Sequence, residues 1–197
     1  MALTKQYIVE KSIEILNRDG LEGLTMRLLA KELNIKAASL YWHFSDKAEL
    51  YAAISETLCG RIIMPAELSC PAAYLSDIFC QFRDILISVR DSVAVFENSV
   101  PFTTIRMEII KSVSNALTAL GVKPENLATV SNLFNNYVLS FVADEFRFKM
   151  STDEMAALIE KTPPHERLIF SMPRDFDRQF KYGLRLLLEG LERVKDD

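Results

Sequence analysis

Residues 24–47 read LTMRLLAKELNIKAASLYWHFSDK. Leu28, Leu29 and Leu33 gather on one helical face, and Thr25 stands ahead of them as a side-chain cap, so the spacing predicts a short helix over residues 26–33. Asn34-Ile35 supplies a tight turn, and a second short helix is expected over residues 37–43. Helix, tight turn, helix is the arrangement that presents its second helix to a DNA major groove. Leu28, Leu29, Leu33, Ile35, Leu40 and Phe44 supply a shared core for such a unit. Ala37, Ala38 and Ser39 are small enough for close approach to base edges, and Tyr41, Trp42 and His43 form an aromatic cluster with polar tips. Arg27 and Lys47 flank the unit, within reach of a guanine or a phosphate.

Outward from this stretch the same three-and-four spacing continues almost everywhere, which predicts an all-α chain. Ile8, Ile13, Ile15 and Leu16 fill a helix that Asp19-Gly20 ends through a left-handed cap. On the other side, Asp46 and Glu49 have capping-box spacing for a fourth helix running to Met64-Pro65. Further helices are expected over residues 71–89, in a short segment reaching Pro101, and over residues 104–120 and 124–148. A brief helix should follow Ser151, where Glu154 completes a capping pair, then a loop at Thr162-Pro163-Pro164 and a last helix over residues 175–194. Residues 1–47 are expected to form the helix-turn-helix domain and residues 48–197 a larger helical regulatory and dimerisation domain. Two late helices are apolar on more than one face, through Leu133, Phe134, Tyr137, Val138 and Phe141 in one and Phe180, Leu184, Leu186, Leu187 and Leu188 in the other. A central core position and a two-fold bundle between subunits both account for this, and both can hold.

The chain has 197 residues, 49% hydrophobic and 25% charged, which excludes disordered, collagenous and disulfide-scaffold classes. Its net charge of −4 argues against a nucleic-acid binder taken whole. The charge is unevenly placed: residues 1–47 hold seven Lys/Arg against six acids, and the remainder 16 against 21. Cys59, Cys70 and Cys80 match no metal-ligand spacing and fit free thiols in a reducing compartment. Neither a signal-peptide core nor an apolar run of membrane-spanning length is present, so a cytoplasmic protein without a membrane partner is expected. His43 and His165 are the only histidines, and neither has a Cys, Ser or carboxylate at catalytic spacing; His165 is expected in a solvated loop. With no Gly-rich phosphate loop and no zinc signature either, the sequence does not read as an enzyme.

Gly20-Leu21-Glu22-Gly23-Leu24-Thr25-Met26-Arg27, Leu29-Ala30, Leu40-Tyr41-Trp42-His43-Phe44 and Lys47 together resemble the DNA-binding domain of the tetracycline repressor (TetR) family. The stretch 180–194, with Tyr182-Gly183-Leu184 and Glu189-Gly190-Leu191-Glu192, resembles that family's final dimerisation helix, and Ser88-Val89-Arg90-Asp91 anchors the region between. The resemblance implies a homodimeric, ligand-responsive repressor on a palindromic double-stranded DNA operator. By position it implies base contact through Arg27 and base or phosphate contact through Ser39. Tyr41 and His43 would touch phosphate or sugar, Trp42 the backbone or a thymine methyl, and Thr25 and Lys47 phosphates. Ala37 stands where the tetracycline-responsive pattern has a base-reading glutamine, so a different operator is expected.

In the family's larger domain the resemblance implies a small-molecule site. Phe96 occupies the position of a metal-binding histidine, and a phenyl ring offers Mg²⁺ no lone pair, so no metal and no cofactor are expected. Ile63 and Ile78 replace polar drug-contacting residues, Phe82 keeps an aromatic, and Asp144 stands at the family's carboxylate position without its histidine. The expected site is an apolar or aromatic cavity lined by Ile63, Ile78, Phe82, Phe96 and Tyr137, with Asn136 and Asp144 as polar contacts. Tetracycline with magnesium is then not expected to release the protein from DNA. A DNA-binding regulator without any small-molecule ligand, and a helical enzyme, are the alternative readings.

Overall fold

The computed structural model describes residues 3–65, 70–150, 160–163 and 175–194. The helix expected after Ser151 and the loop position of His165 lie outside the described residues. Within them the structure is helical, with no strand.

α1 (Lys5–Gly23) opens where the Thr4 side chain accepts a bond from the Tyr7 N–H. Gly20 takes φ +74° with ψ −174°, a Gly-only conformation outside the left-handed helical well that the sequence predicts, so it kinks α1 instead of ending it, and one further turn, Leu21–Gly23, follows. α2 (Met26–Glu32) is capped by Thr25, whose oxygen accepts from the Leu28 N–H. Asn34, at φ +54°, makes the turn into α3 (Ala37–Tyr41). α3 stops two residues earlier than its spacing suggests, because the His43 and Phe44 N–H groups both turn back onto the Leu40 carbonyl. Leu29, Leu40 and Phe44 are buried between these helices, and Leu28, Leu33 and Ile35 pack partly buried against them.

α4 (Lys47–Cys59) starts at Asp46, which accepts from the Glu49 N–H at 2.8 Å, while Glu49 returns to the N–H of Ser45 rather than that of Asp46. The helix ends at Gly60 and not at Met64-Pro65. Past it the Arg61 and Ile62 N–H groups turn back onto the Leu58 and Cys59 carbonyls, and Gln81 then donates to the Ile63 carbonyl at 2.9 Å and accepts the Ile63 N–H at 2.8 Å. Those two bonds satisfy Ile63 without a helix.

The larger body is built from α5 (Pro71–Ile87), α6 (Ser92–Glu97), α7 (Thr104–Ala119), a 3₁₀ turn at Pro124–Asn126 that leads into α8 (Leu127–Met150), and α9 (Phe176–Arg193). α8 packs on α5, α7 and α9, and α4 packs on both α1 and the body helices α5, α6 and α7. Phe79 stacks on Phe134 with centroids 5.2 Å apart, joining α5 to α8. Arg83 of α5 is buried and bolts three helices together, donating to Glu145 of α8 at 2.8 Å and to Asp177 of α9 at 2.7 Å. Its guanidinium also lies 5.1 Å from the Phe180 ring centroid. Both expectations for α8 and α9 therefore have a physical basis: Phe134, Val138, Val142, Phe180, Leu184 and Leu188 are core, whereas Leu133, Tyr182 and Leu186 are exposed.

Candidate nucleic-acid interface and effector cavity

The α2–α3 unit places a continuous set of side chains in solvent. Thr25, Arg27, Ala37, Tyr41 and Trp42 are exposed, with Trp42 at 90% and Tyr41 at 55%; Ser39, His43 and Lys47 are partly buried. An indole left that open has no folding reason to be there and marks a contact surface. The Thr25 oxygen is occupied as a cap, yet its O–H proton stays available to an outside acceptor. Lys47 lies 5.3 Å from the Tyr51 ring centroid, which steadies its ammonium at the edge of the unit.

Ion pairs refine the charge of this head. Arg18 is paired with Asp19 at 2.8 Å and Glu32 at 3.0 Å, Lys5 with Glu49 at 3.2 Å, and Lys11 with Glu14. Among the described residues no carboxylate pairs with Arg27, Lys31, Lys36 or Lys47. The cations left over are those of α2, of the turn leading into α3, and of the start of α4, where a phosphate backbone would be met.

The head meets the body at a small polar joint. Asp91, held at φ +57° between α5 and α6, accepts the Leu21 N–H at 2.7 Å. Arg90 donates its backbone N–H to Asn17 at 3.0 Å and its guanidinium to the Arg18 carbonyl at 3.3 Å. Gly20 is required here twice over: it has a positive φ, and a Cβ on it would sit 2.8 Å from Asp91 Oδ2.

In the body, α4 to α8 line a partly open cavity of about 690 Å³. That volume falls within the range of small-molecule sites. Ile78, Phe82, Phe96, Val113, Leu127 and Leu139 line it with apolar surface, and Arg106, Ser131, Asn132 and Asn135 add polar groups. The Phe82 and Phe96 rings meet edge to face at 5.2 Å. Cys59 contributes a thiol whose pKa burial pushes up to about 12, so it is a neutral wall group and no thiolate. Glu56 lies just behind the wall. Burial opposes its charge, but the N–H groups of Ile105 and Arg106 and the Thr103 hydroxyl together hold its carboxyl below the usual range. Among the described residues no three His, Cys, Asp or Glu gather as a metal site, and Phe96 faces the cavity with a ring that cannot ligate, so the residues present do not fit a chelated Mg²⁺.

The family model described as Bacterial regulatory proteins, tetR family, matches residues 8–54, and the one described as Tetracyclin repressor-like, C-terminal domain, matches residues 73–195. The chain belongs to the TetR family. The tetracycline repressor protein class D of Escherichia coli is 26% identical over 196 residues, covering 96% of this chain and 89% of that protein. The Streptomyces coelicolor TetR family protein ActR in complex with (S)-DNPA is 26% identical and superposes with a TM-score of 0.82, covering 97% of this chain and 98% of that one. BioQ bound to its natural double-stranded DNA operator is 26% identical with a TM-score of 0.71, covering 97% and 99%. TetR-family proteins are DNA-binding transcriptional regulators that work as dimers, and this chain is one of those regulators. No helix among the described residues is long and apolar enough to cross a membrane.

Against this TetR framework the eight sequence-derived DNA residues fall together on the α2–α3 unit and the start of α4. The seven cavity residues divide. Ile78, Phe82 and Phe96 line the cavity; Ile63, Asn136, Tyr137 and Asp144 do not. Ile63 is 78% exposed, turned outward by its backbone clamp to Gln81. Tyr137 faces α9 instead, stacked on Phe180 at 5.3 Å with its hydroxyl donating to the Phe180 carbonyl at 2.8 Å. Asn136 is exposed, and Asp144 is exposed and paired with Arg147 at 2.6 Å. The polar wall is supplied by neighbours of those positions, Ser131, Asn132 and Asn135, and by Arg106, which sequence reasoning missed. A signal for Arg106 was present: residues 106, 109, 110 and 113 share one helical face, which puts this cation on an apolar stripe.

Proposed function

We propose that this chain is a homodimeric repressor that leaves a palindromic operator when a small molecule enters the α4–α8 cavity. The observation that carries the reading is the double duty of α4. Its N-terminus opens in the head at Lys47 and its body packs on α1, while its last residue, Cys59, is cavity wall. α6 is placed similarly, with Phe96 in the wall and Asp91 at its start accepting from Leu21 of the head. A ligand that favours one setting of α4 and α6 favours one spacing of the two heads, and by linkage weakens DNA by the same factor.

In this reading Arg27 and Ser39 meet base edges, Ala37 packs close to them, and Thr25, Tyr41, Trp42, His43 and Lys47 engage the backbone. Residues 1–47 act as the reading head and residues 48–197 as the regulatory and dimerisation body. The dimer forms through α8 and α9: Tyr182 and Leu186 make an exposed apolar stripe that continues to Gly190, where a Cβ would meet nothing within 4 Å. Such a stripe lets a second helix approach closely. The two recognition helices then enter successive major grooves about 34–36 Å apart. The protein acts in the cytoplasm by binding alone and performs no catalytic step.

The test is selection of binding sequences from random duplexes, followed by fluorescence anisotropy on the winner. A two-fold symmetric consensus, released by at least one compound from a metabolite panel and not by tetracycline with magnesium, is the expected result. Selection without sequence preference would sink the reading. Loss of operator binding with tetracycline and magnesium would sink the apolar-cavity part of it.

A further inference from the structure

We infer that the effector is an apolar or aromatic carboxylic acid, its carboxylate received by Arg106 and its hydrocarbon part filling the cavity. This deepens the preceding proposal and rests on the cavity being the effector site.

Arg106 is the one Lys or Arg among the described residues that line the cavity. One arm of its guanidinium donates to Ser99 Oγ at 2.8 Å and to the Val100 carbonyl at 3.0 Å, and its plane lies 5.0 Å from the Phe96 centroid. Among the described residues no acceptor takes its remaining N–H groups and no carboxylate pairs with it. The nearby Glu56 carboxylate supports the Arg106 charge from a distance but makes no ion pair with its guanidinium, its oxygens being taken by the Thr103 hydroxyl and the backbone N–H groups of Ile105 and Arg106. Cys59 is a neutral thiol, and Glu97, which also borders the cavity, is exposed to solvent. Burial lowers the Arg106 pKa, so withdrawal from water is already working against its charge. A cation left in that condition is relieved most by an anion that brings its own acceptor pair to the guanidinium fork.

The α8 wall carries a second, independent mark. The Ser131 hydroxyl is buried without a hydrogen-bond partner among the described residues, and Ser131 lines the same cavity beside Asn132 and Asn135. A buried hydroxyl without a partner is costly unless something else supplies one. Arg106 on α7 and Ser131 on α8 thus offer donors from two walls, and the surface between them is mainly apolar and aromatic. A single guanidinium in such a lining suits one carboxylate on a hydrocarbon body. A multiply charged phosphate ester would need more cations than the cavity holds.

Calorimetric titration of the full-length protein tests this with 2-naphthoate, 4-biphenylcarboxylate and dodecanoate, each against its primary amide. The acids should bind at least about tenfold more tightly than the amides, the worth of one charge-assisted hydrogen-bond pair. Arg106→Gln should bring that ratio close to one, and Arg106→Lys should restore part of it. Circular dichroism and melting curves of both variants separate lost recognition from lost folding. Ser131→Ala gives a second reading from the opposite wall, since it leaves the Arg106 bracing untouched. Equal binding of acid and amide by the parent protein overturns the inference, and so does a preference that survives in Arg106→Gln. Failure of all six compounds to bind overturns the cavity reading and the inference together. Acids that bind through Arg106 yet leave operator affinity unchanged support the anion site while overturning the regulatory proposal.

Discussion

The proposed function divides single side chains on the head into those that read and those that hold. Arg27 is exposed and free of any described carboxylate, so Arg27→Ala should cost ~1–3 kcal/mol of operator binding and relax specificity at one base pair. Lys47→Ala should weaken all sequences alike and lower the salt slope by about one. Anisotropy titrations of consensus and single-mismatch duplexes at several salt concentrations distinguish the two outcomes. The core, the turn and the exposed side chains of the helix-turn-helix unit were legible because the unit is local: about twenty consecutive residues contain all three. The cavity was less so. Neighbouring positions on α8 differ by 100° in direction, so Asn135 and Asn136 point to different surroundings, and only the packing of α8 against α5 and α7 decides which one borders the cavity.

At the scale of helices, caps and joints carry the argument. Thr25 and Asp46 accept from N–H groups three residues on, as expected from the sequence, and Asp175 does the same ahead of α9. The end of α4 was not legible, because it depends on Gln81, a residue distant in the chain that reaches back to clamp Ile63. Gly20→Ala should destabilise the protein by roughly 1–2 kcal/mol from the positive φ alone, with a further cost from the close approach to Asp91. Urea denaturation measures the sum, and Asp91→Ala in the same background should recover part of it. The three-helix bolt at Arg83 makes a separate prediction. Arg83→Met strands the buried Glu145, which retains Lys149 at 2.7 Å, so the loss should fall toward the lower end of the ~3–5 kcal/mol expected for a broken buried pair. A Tm unchanged by Arg83→Met would show that the pair contributes nothing net.

For the molecule as a whole, the acidic net charge and DNA binding are compatible because charge is sorted in space. Ion pairs take up Lys5, Lys11 and Arg18 and leave Arg27, Lys31, Lys36 and Lys47, in the stretch that also carries the exposed Trp42, without a carboxylate partner among the described residues. Two such heads must act together to hold a duplex, which makes dimerisation a condition of function. Leu186→Glu, placed in the exposed α9 stripe, should shift sedimentation from dimer to monomer and weaken operator binding by more than a hundredfold, since two-headed attachment converts the second contact into an intramolecular one. A dimer that survives this substitution would place the interface elsewhere.

The sole tryptophan of the chain stands on that same DNA-facing surface, far more open to water than any tyrosine packed in the body. Its emission is therefore a native optical label for one event only. Operator engagement should strip water from the indole, shifting its emission to the blue and shielding it from iodide quenching. A molecule entering the cavity without DNA present should leave that spectrum nearly untouched. Occupancy of the head and occupancy of the body can then be followed separately in one cuvette, with no dye attached to either partner.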